Sequence, residues 1–84
     1  MHFIYIIECK DGTLYTGYTN NLEKRVTMHN EGRGAKYTRG RAPVVLRYFE
    51  QFDTKSDALK REAEIKNLRK AKKIELFRNF YALK

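Results

Sequence analysis

Five side chains in this sequence carry groups that together can activate water and hold a phosphate. Tyr5 and Tyr15 supply two phenols, Arg25 a guanidinium and His29 an imidazole, all in the N-terminal half of the chain. A guanidinium binds phosphate oxygens through paired N–H groups, and an imidazole exchanges a proton near neutral pH. Such chemistry also needs a carboxylate to hold a metal ion, and Glu62 is the candidate.

Each of these residues also has a purely structural interpretation. Tyrosines in a small sheet are most simply core aromatics, Arg25 is most simply a solvated helix residue, and His29 is most simply a residue at the edge of the core. The occurrence of all these groups together favours chemistry over packing. We expect the side chains to line one hollow.

The position of Glu62 follows from helical periodicity. At about 100° per residue, Glu62 falls inside the apolar arc of its helix, whereas Glu64 points nearly the opposite way. A buried carboxylate needs a compensating cation, which is either Lys66 one turn later or a divalent ion. A lone carboxylate with several waters suits Mg²⁺ or Mn²⁺. The predicted apolar arc consists of Ala58, Leu59, Ala63, Ile65 and Leu68.

The first two strands, residues 3–9 and 13–19, flank a Lys10-Asp11-Gly12 turn. A two-residue loop would place Tyr5 and Tyr15 on opposite faces of the hairpin. A three-residue loop, with Gly12 in the left-handed region, puts Tyr5 opposite Gly17 and both tyrosines on one face. We expect the second register, in which Gly17 leaves space beside Tyr5.

The remaining elements follow from caps and periodicity. A helix is predicted over 22–30, with Asn20 as N-cap, Glu23 as its capping-box partner and Gly32 at its end. Pro43 opens a third strand that runs to residue 50, and Thr54 caps a helix ending near residue 68. A last helix covers 70–81, with Phe80 and Tyr81 on its apolar side. The order ββαβαα predicts one α+β domain over 1–84, a small three-stranded antiparallel sheet flanked by helices.

The charge of the chain indicates a polyanionic partner. The net charge is +8, from 18 Lys and Arg against 10 Asp and Glu. A basic, glycine-containing loop at 32–41 has the wrong lysine spacing for a Walker motif. A solvated helix face is the alternative interpretation of the other lysines. The nucleic-acid-binding candidates are Arg33, Lys36, Tyr37, Arg39, Arg41 and Lys66.

The compartment and the remaining partners are constrained by what the sequence lacks. One cysteine, Cys9, excludes an internal disulfide, and the N-terminal apolar run is too short for a signal peptide. No stretch approaches the roughly 20 apolar residues that span a bilayer. We expect a cytoplasmic protein without a membrane partner or an obligatory protein partner.

Together these segments resemble the GIY-YIG nuclease superfamily, in particular its small stand-alone, UPF0213-like bacterial members. Phe3-Ile4-Tyr5 and Tyr15-Thr16-Gly17 stand at the two name-giving motifs. Residues 21–25, 28–30 and 58–66 are similar to the segments that bear the family's arginine, histidine and glutamate, and residues 34–41 to the loop of the stand-alone group. Phe3 and Thr16 depart from the motifs, whereas the tyrosines and Gly17 match them.

The resemblance implies metal-dependent hydrolysis of DNA phosphodiesters, with damaged or branched structures in repair or recombination as possible substrates. It implies that Tyr5 and Tyr15 serve the water, Arg25 the phosphate and His29 the proton, with Mg²⁺ or Mn²⁺ on Glu62. The alternative is a nucleic-acid-binding module without catalysis.

Overall fold

A three-stranded antiparallel sheet is the centre of the fold. In the computed structural model, which describes residues 1–82 and side chains up to residue 78, the strands are β1 (His2–Glu8), β2 (Leu14–Thr19) and β3 (Val45–Phe52), in the order β2-β1-β3. The helices are α1 (Leu22–Asn30), α2 (Lys55–Lys66) and α3 (Lys70–Ala82). The predicted α+β fold and the order ββαβαα are confirmed, with one 3₁₀ turn, Lys36–Thr38, added in the basic loop.

Two of the sequence predictions fall beyond this description. Residues 83 and 84 belong to the predicted domain 1–84 and lie outside the described residues. The side chains of Phe80 and Tyr81, predicted for the apolar side of the last helix, lie outside the described side chains. No helix within the described residues is both long and apolar enough to cross a membrane.

The β1–β2 hairpin has the predicted three-residue loop. Gly12 adopts φ 85°, and the Cys9 and Thr13 backbones meet at 2.9 Å, N to O. Tyr5 therefore pairs with Gly17, and Ile7 pairs with Tyr15. Because side chains alternate along a strand, the two tyrosines share one face.

The central strand β1 is buried on both faces, which explains its continuous apolar run. On one face, Ile4 and Ile6 pack against Ala58 and Ile65 of α2. The opposite face carries Tyr5 and Ile7, which are packed by partly buried residues of α1 and β2, namely Leu22, Val26 and Tyr15. The sheet thus separates an α2–α3 side from an α1 side.

The N-cap of helix α1 lies one residue later than predicted. Asn21, not Asn20, is the N-cap, and its side chain accepts from the Lys24 backbone N at 3.1 Å. Thr19 selects this position, because its hydroxyl bonds both the N and the O of Asn21 at 3.1 and 3.2 Å. Glu23 is consequently not the capping-box partner. Gly32 ends the helix as predicted, with φ 75°.

The third strand starts later and runs further than predicted, from Val45 to Phe52. Pro43 and Val44 precede it, because Val44 is held by α1 instead of by the sheet. Its N donates to Asn30 Oδ1 at 2.7 Å, and its O accepts from Asn30 Nδ2 at 3.4 Å. This contact fixes the C-terminal end of α1 beside the residue that precedes β3.

The predicted apolar arc of α2 was too wide. Ala58 and Ile65 are fully buried, whereas Leu59 is 40% exposed and Ala63 is also exposed. Arg61 accounts for the orientation of the helix, because its Nε donates to Glu50 on β3 at 3.0 Å. Thr54 caps the helix as predicted and accepts from the Asp57 N at 3.2 Å.

Thr16 provides a first prediction. It is 3% exposed on the α2 side of β2, and its Oγ1 makes no hydrogen bond within the described part of the chain. Thr16→Val removes an unpaired buried hydroxyl and keeps the β-branched shape, so we expect unfolding free energy to rise by about 1–2 kcal/mol. Urea denaturation measures the change, and a loss of stability would show that this hydroxyl has a partner.

Candidate active site

Tyr5, Arg25 and His29 form one hydrogen-bonded group on the α1 side of the sheet. The Tyr5 hydroxyl lies 2.9 Å from His29 Nε2, and both residues are buried at 1% and 0% exposure. Arg25 Nε donates to the same hydroxyl at 3.4 Å. Arg25 and His29 are one helical turn apart on α1, so a single helix face brings both to the tyrosine.

Burial keeps this group neutral except for the arginine. Desolvation raises the pKa of Tyr5 to about 12, partly offset by the hydrogen bond and charge of Arg25. Desolvation, and next the positive charge of Arg25, lower the pKa of His29 to about 4. At neutral pH the phenol is therefore protonated and the imidazole is uncharged.

Tyr15 joins this group to the basic loop through ring contacts. Its ring centroid lies 5.4 Å from that of His29 and 6.3 Å from that of Tyr5. Tyr37 stacks on Tyr15 at 5.9 Å, and the Arg41 guanidinium lies 4.8 Å from the centre of the Tyr37 ring. The aromatic contacts place one end of the loop directly beside the candidate site.

The predicted nucleic-acid-binding residues are of two kinds. Some are engaged in ion pairs: Arg33 with Glu31, Arg41 with Asp11 at 2.8 Å and Lys66 with Glu62 at 3.4 Å. Lys36 and Arg39 are exposed and make no ion pair with the described residues, and Tyr37 is exposed despite its contacts. These three side chains are available to a partner without breaking an ion pair.

Glu62 points toward the protein body, as the helical wheel predicts. Its side chain is 18% exposed, whereas that of Glu64 is 64% exposed. However, α2 covers the opposite face of the sheet from α1, and no hydrogen bond within the described residues joins Glu62 to Tyr5, Arg25 or His29. The carboxylate is within electrostatic range, because its negative charge contributes to the raised pKa of Tyr5.

The expected common hollow is only partly present. Arg25 lines a hollow of about 230 Å³, whereas Tyr5 and His29 are fully buried. The physical reason is the position of β1, whose side chains are covered on both faces. The other residues lining this hollow are Thr19, Asn20, Asn21, Lys24 and Met28.

The donor chemistry at Glu62 fits a hydrated divalent ion. The described residues contain no group of three His, Cys, Asp or Glu that could enclose a metal. Magnesium typically keeps several waters and takes one or two carboxylates plus substrate phosphates, so a single hard oxygen donor suits it. The ammonium group of Lys66 is the cation that pairs with this carboxylate in the structure.

Two residues of the site were missed by the sequence reasoning. Thr38 Oγ1 lies 2.7 Å from His29 Nδ1 and is 1% exposed. Gly34 packs against the same ring, and a Cβ built there would lie 2.2 Å from His29 Nδ1. Both belong to the loop segment 34–41, whose resemblance to the stand-alone group was the available signal.

The family of this chain follows from comparison with known proteins. The profile of the GIY-YIG catalytic domain matches residues 1–75. The chain belongs to the GIY-YIG family. This is a nuclease family whose members generally use a divalent metal ion.

Relatives within the GIY-YIG family span nearly the whole chain. A UPF0213 protein of Halobacterium salinarum is 60% identical over 77 residues, covering 92% of this chain and 100% of the relative. A UPF0213 protein of Staphylococcus saprophyticus is 61% identical over 75 residues, covering 89% and 92%.

Two solution NMR structures show the same fold. The UPF0213 protein from Bacillus halodurans is 48% identical, with a TM-score of 0.57 and coverage of 89% of this chain and 80% of that one. A protein from E. faecalis is 43% identical, with a TM-score of 0.64 and coverage of 96% and 86%. The suspected membership in the small stand-alone group is thereby confirmed.

Proposed function

We propose that this protein is a metal-dependent endonuclease that hydrolyses phosphodiester bonds in DNA. The observation that carries the proposal is the hydrogen-bonded Arg25–Tyr5–His29 group, in which a buried, uncharged imidazole faces a phenol that also accepts from a partly exposed guanidinium. A core that served packing alone would not need this set, since apolar side chains can be buried without hydrogen-bond partners. The exposed cations Lys36 and Arg39 supply the attraction for a polyanion.

In this proposal Arg25 binds the phosphate. It is the member of the group that lines an open hollow, and its guanidinium can donate to two phosphate oxygens at once. Since the side chain also donates to Tyr5, a phosphate bound there comes close to the phenol. A guanidinium in this place stabilises the charge that builds up on phosphorus oxygens in the transition state.

The two tyrosines and His29 position the attacking water and accept its proton. Tyr15 is partly exposed and holds the water, while the buried Tyr5 relays its proton. As the water oxygen forms its bond to phosphorus, its proton passes to the Tyr5 oxygen, and the Tyr5 proton passes to His29 Nε2. The P–O bond to the leaving sugar oxygen breaks, and that oxygen takes up a proton from solvent.

Glu62 is the residue that would hold the metal ion. When bound there, Mg²⁺ or Mn²⁺ would stabilise negative charge on the phosphate and on the leaving oxygen. The negative charge of Glu62 also reaches Tyr5, so compensation of this charge lowers the pKa of the phenol and eases the relay.

A matched pair of glutamates on one helix tests the proposal. We expect Glu62→Gln to lower cleavage of duplex, single-stranded or branched DNA by about 10²-fold or more in Mg²⁺ or Mn²⁺. Glu64→Gln is the control, because its exposed contact with Arg61 at 3.7 Å contributes little. The same samples are titrated with Mn²⁺ alone, and binding is expected to weaken in Glu62→Gln only. Cleavage at the wild-type rate in Glu62→Gln would overturn the assignment.

A nucleic-acid-binding module without catalysis is the second candidate. The observation that favours it is the exposure of Lys36, Tyr37 and Arg39, all outside the hydrogen-bonded group. Binding of DNA that falls steeply between about 50 and 200 mM salt, with no cleavage by the wild-type protein in either metal, is the result that supports it.

A further inference from the structure

Both ring nitrogens of His29 face hydroxyl groups, so the histidine does not by itself determine where its proton lies. Nε2 is 2.9 Å from the Tyr5 hydroxyl, and Nδ1 is 2.7 Å from Thr38 Oγ1. A hydroxyl can donate or accept, and a neutral imidazole has one donor and one acceptor nitrogen. The next groups along the chain of hydrogen bonds decide between the two tautomers.

The hydrogen bond that the Thr38 hydroxyl donates has a fixed direction. Thr38 Oγ1 lies 2.9 Å from the Ala35 backbone O, which can only accept. The single hydroxyl hydrogen of Thr38 is therefore directed at Ala35, and Oγ1 must accept from His29 Nδ1–H. His29 Nε2 is left bare and takes the acceptor role toward Tyr5.

The Arg25 end favours the same direction but does not by itself fix it. A guanidinium N–H can only donate, so the Tyr5 oxygen accepts from Arg25 Nε. The hydroxyl hydrogen of Tyr5 is then free to point at His29 Nε2. Were Nε2 protonated instead, the Tyr5 oxygen would face two donors, and its own hydrogen would lose the bond to the imidazole inside the core.

We propose that Thr38 is a positioning residue that holds His29 as the Nδ1–H tautomer and so keeps Nε2 ready for the Tyr5 proton. Its catalytic meaning rests on the function proposed above. The tautomer itself follows from the hydrogen-bond chain alone. Residue 38 therefore needs a hydroxyl, which makes serine the acceptable substitute and valine the unacceptable one.

The turn that carries Thr38 keeps its backbone bond when the hydroxyl is removed. The Ala35 O also accepts from the Thr38 backbone N at 3.0 Å, so Thr38→Val leaves this carbonyl paired. Valine has nearly the shape of threonine, and the variant is therefore a test of the hydroxyl and not of the turn.

The direct test is ¹⁵N NMR of the His29 ring, in which a protonated nitrogen resonates far from a bare one. We expect Nδ1–H in the wild type and in Thr38→Ser, and a shift toward Nε2–H in Thr38→Val. Thr16→Val is the matched control, a buried threonine on the other side of the sheet whose hydroxyl makes no hydrogen bond within the described residues. An Nε2–H signal in the wild type, or an unchanged Nδ1–H signal in Thr38→Val, overturns the proposal.

Cleavage kinetics separate this inference from the function on which it rests. We expect Thr38→Val to lower kcat by about 10²-fold with KM unchanged, and Thr38→Ser to recover most of it; a wrong tautomer in the serine-protease triad costs about 10⁴-fold. A tautomer change in Thr38→Val with no cleavage by the wild type supports the positioning role and overturns the nuclease. Cleavage that is equal in Thr38→Val and wild type, with the tautomer changed, overturns the link between them.

Discussion

Replacing Gly34 with alanine is expected to remove cleavage and to lower the unfolding free energy by about 3 kcal/mol. The new Cβ would lie 2.2 Å from His29 Nδ1 and 2.6 Å from its Cγ, which is closer than nonbonded atoms approach. The imidazole has no room to retreat, because Tyr5 and Thr38 hold it on both sides. Either the loop moves away, or the ring leaves its two hydrogen bonds.

The matched control for this change is Gly40→Ala in the same loop. Gly40 has φ 73°, with open space where a Cβ would lie, so alanine strains the backbone without touching the histidine. We expect Gly40→Ala to cost about 1–2 kcal/mol and to leave the His29 hydrogen bonds intact. Urea denaturation gives the stabilities, and the His29 ring ¹⁵N signals report the hydrogen bonds. If Gly34→Ala is as stable as the wild type, the loop does not pack on the imidazole as described.

The hairpin shows what the sequence alone could predict about this site. The Asp11-Gly12 turn selects a register through the backbone freedom of one glycine, and the register alone decides that Tyr5 and Tyr15 share a face. Arg25 and His29 likewise lie one helical turn apart, and this spacing lets them meet the same neighbour. Both inferences depend on residues close in sequence, where the geometry of a strand or helix leaves few alternatives.

The parts that could not be predicted depend on residues far apart in sequence. The ring of His29 is enclosed by Gly34 and Thr38 only because the loop after α1 folds back over it. The orientation of α2 depends on the contact between Arg61 and Glu50, so a helical wheel read in isolation placed Leu59 inside when it is 40% exposed.

The placement of Glu62 depends partly on local sequence and partly on residues far away in sequence. Its inward direction follows from helical periodicity and is confirmed by its low exposure relative to Glu64. Its relation to Tyr5 depends on how α2 packs on the sheet, which no local pattern specifies. The roles of Tyr5, Tyr15, Arg25, His29 and Glu62 therefore remain a proposal, for which proximity supports the first four and electrostatic range the fifth.

The pH dependence of stability is expected to reveal the burial of His29. Its pKa is about 4 in the folded protein and about 6.5 in the unfolded chain, so the unfolded chain binds more protons between these values. The unfolding free energy should therefore be fully present above about pH 6.5 and fall as the pH drops toward 4, by up to about 3 kcal/mol for this residue. Urea denaturation between pH 4 and pH 7 measures this fall.

A His29→Gln variant isolates this contribution, because glutamine keeps a polar side chain in the core and cannot titrate. Acid also destabilises through carboxylates such as Asp11, whose pKa is lowered mainly by the hydrogen bond from Thr13. That loss occurs in both proteins, so the difference between the two slopes belongs to His29. Parallel slopes would mean that the imidazole is protonated in the folded state at pH 5. That outcome would contradict the desolvation of His29 in the folded protein, because burial is the main cause of its lowered pKa.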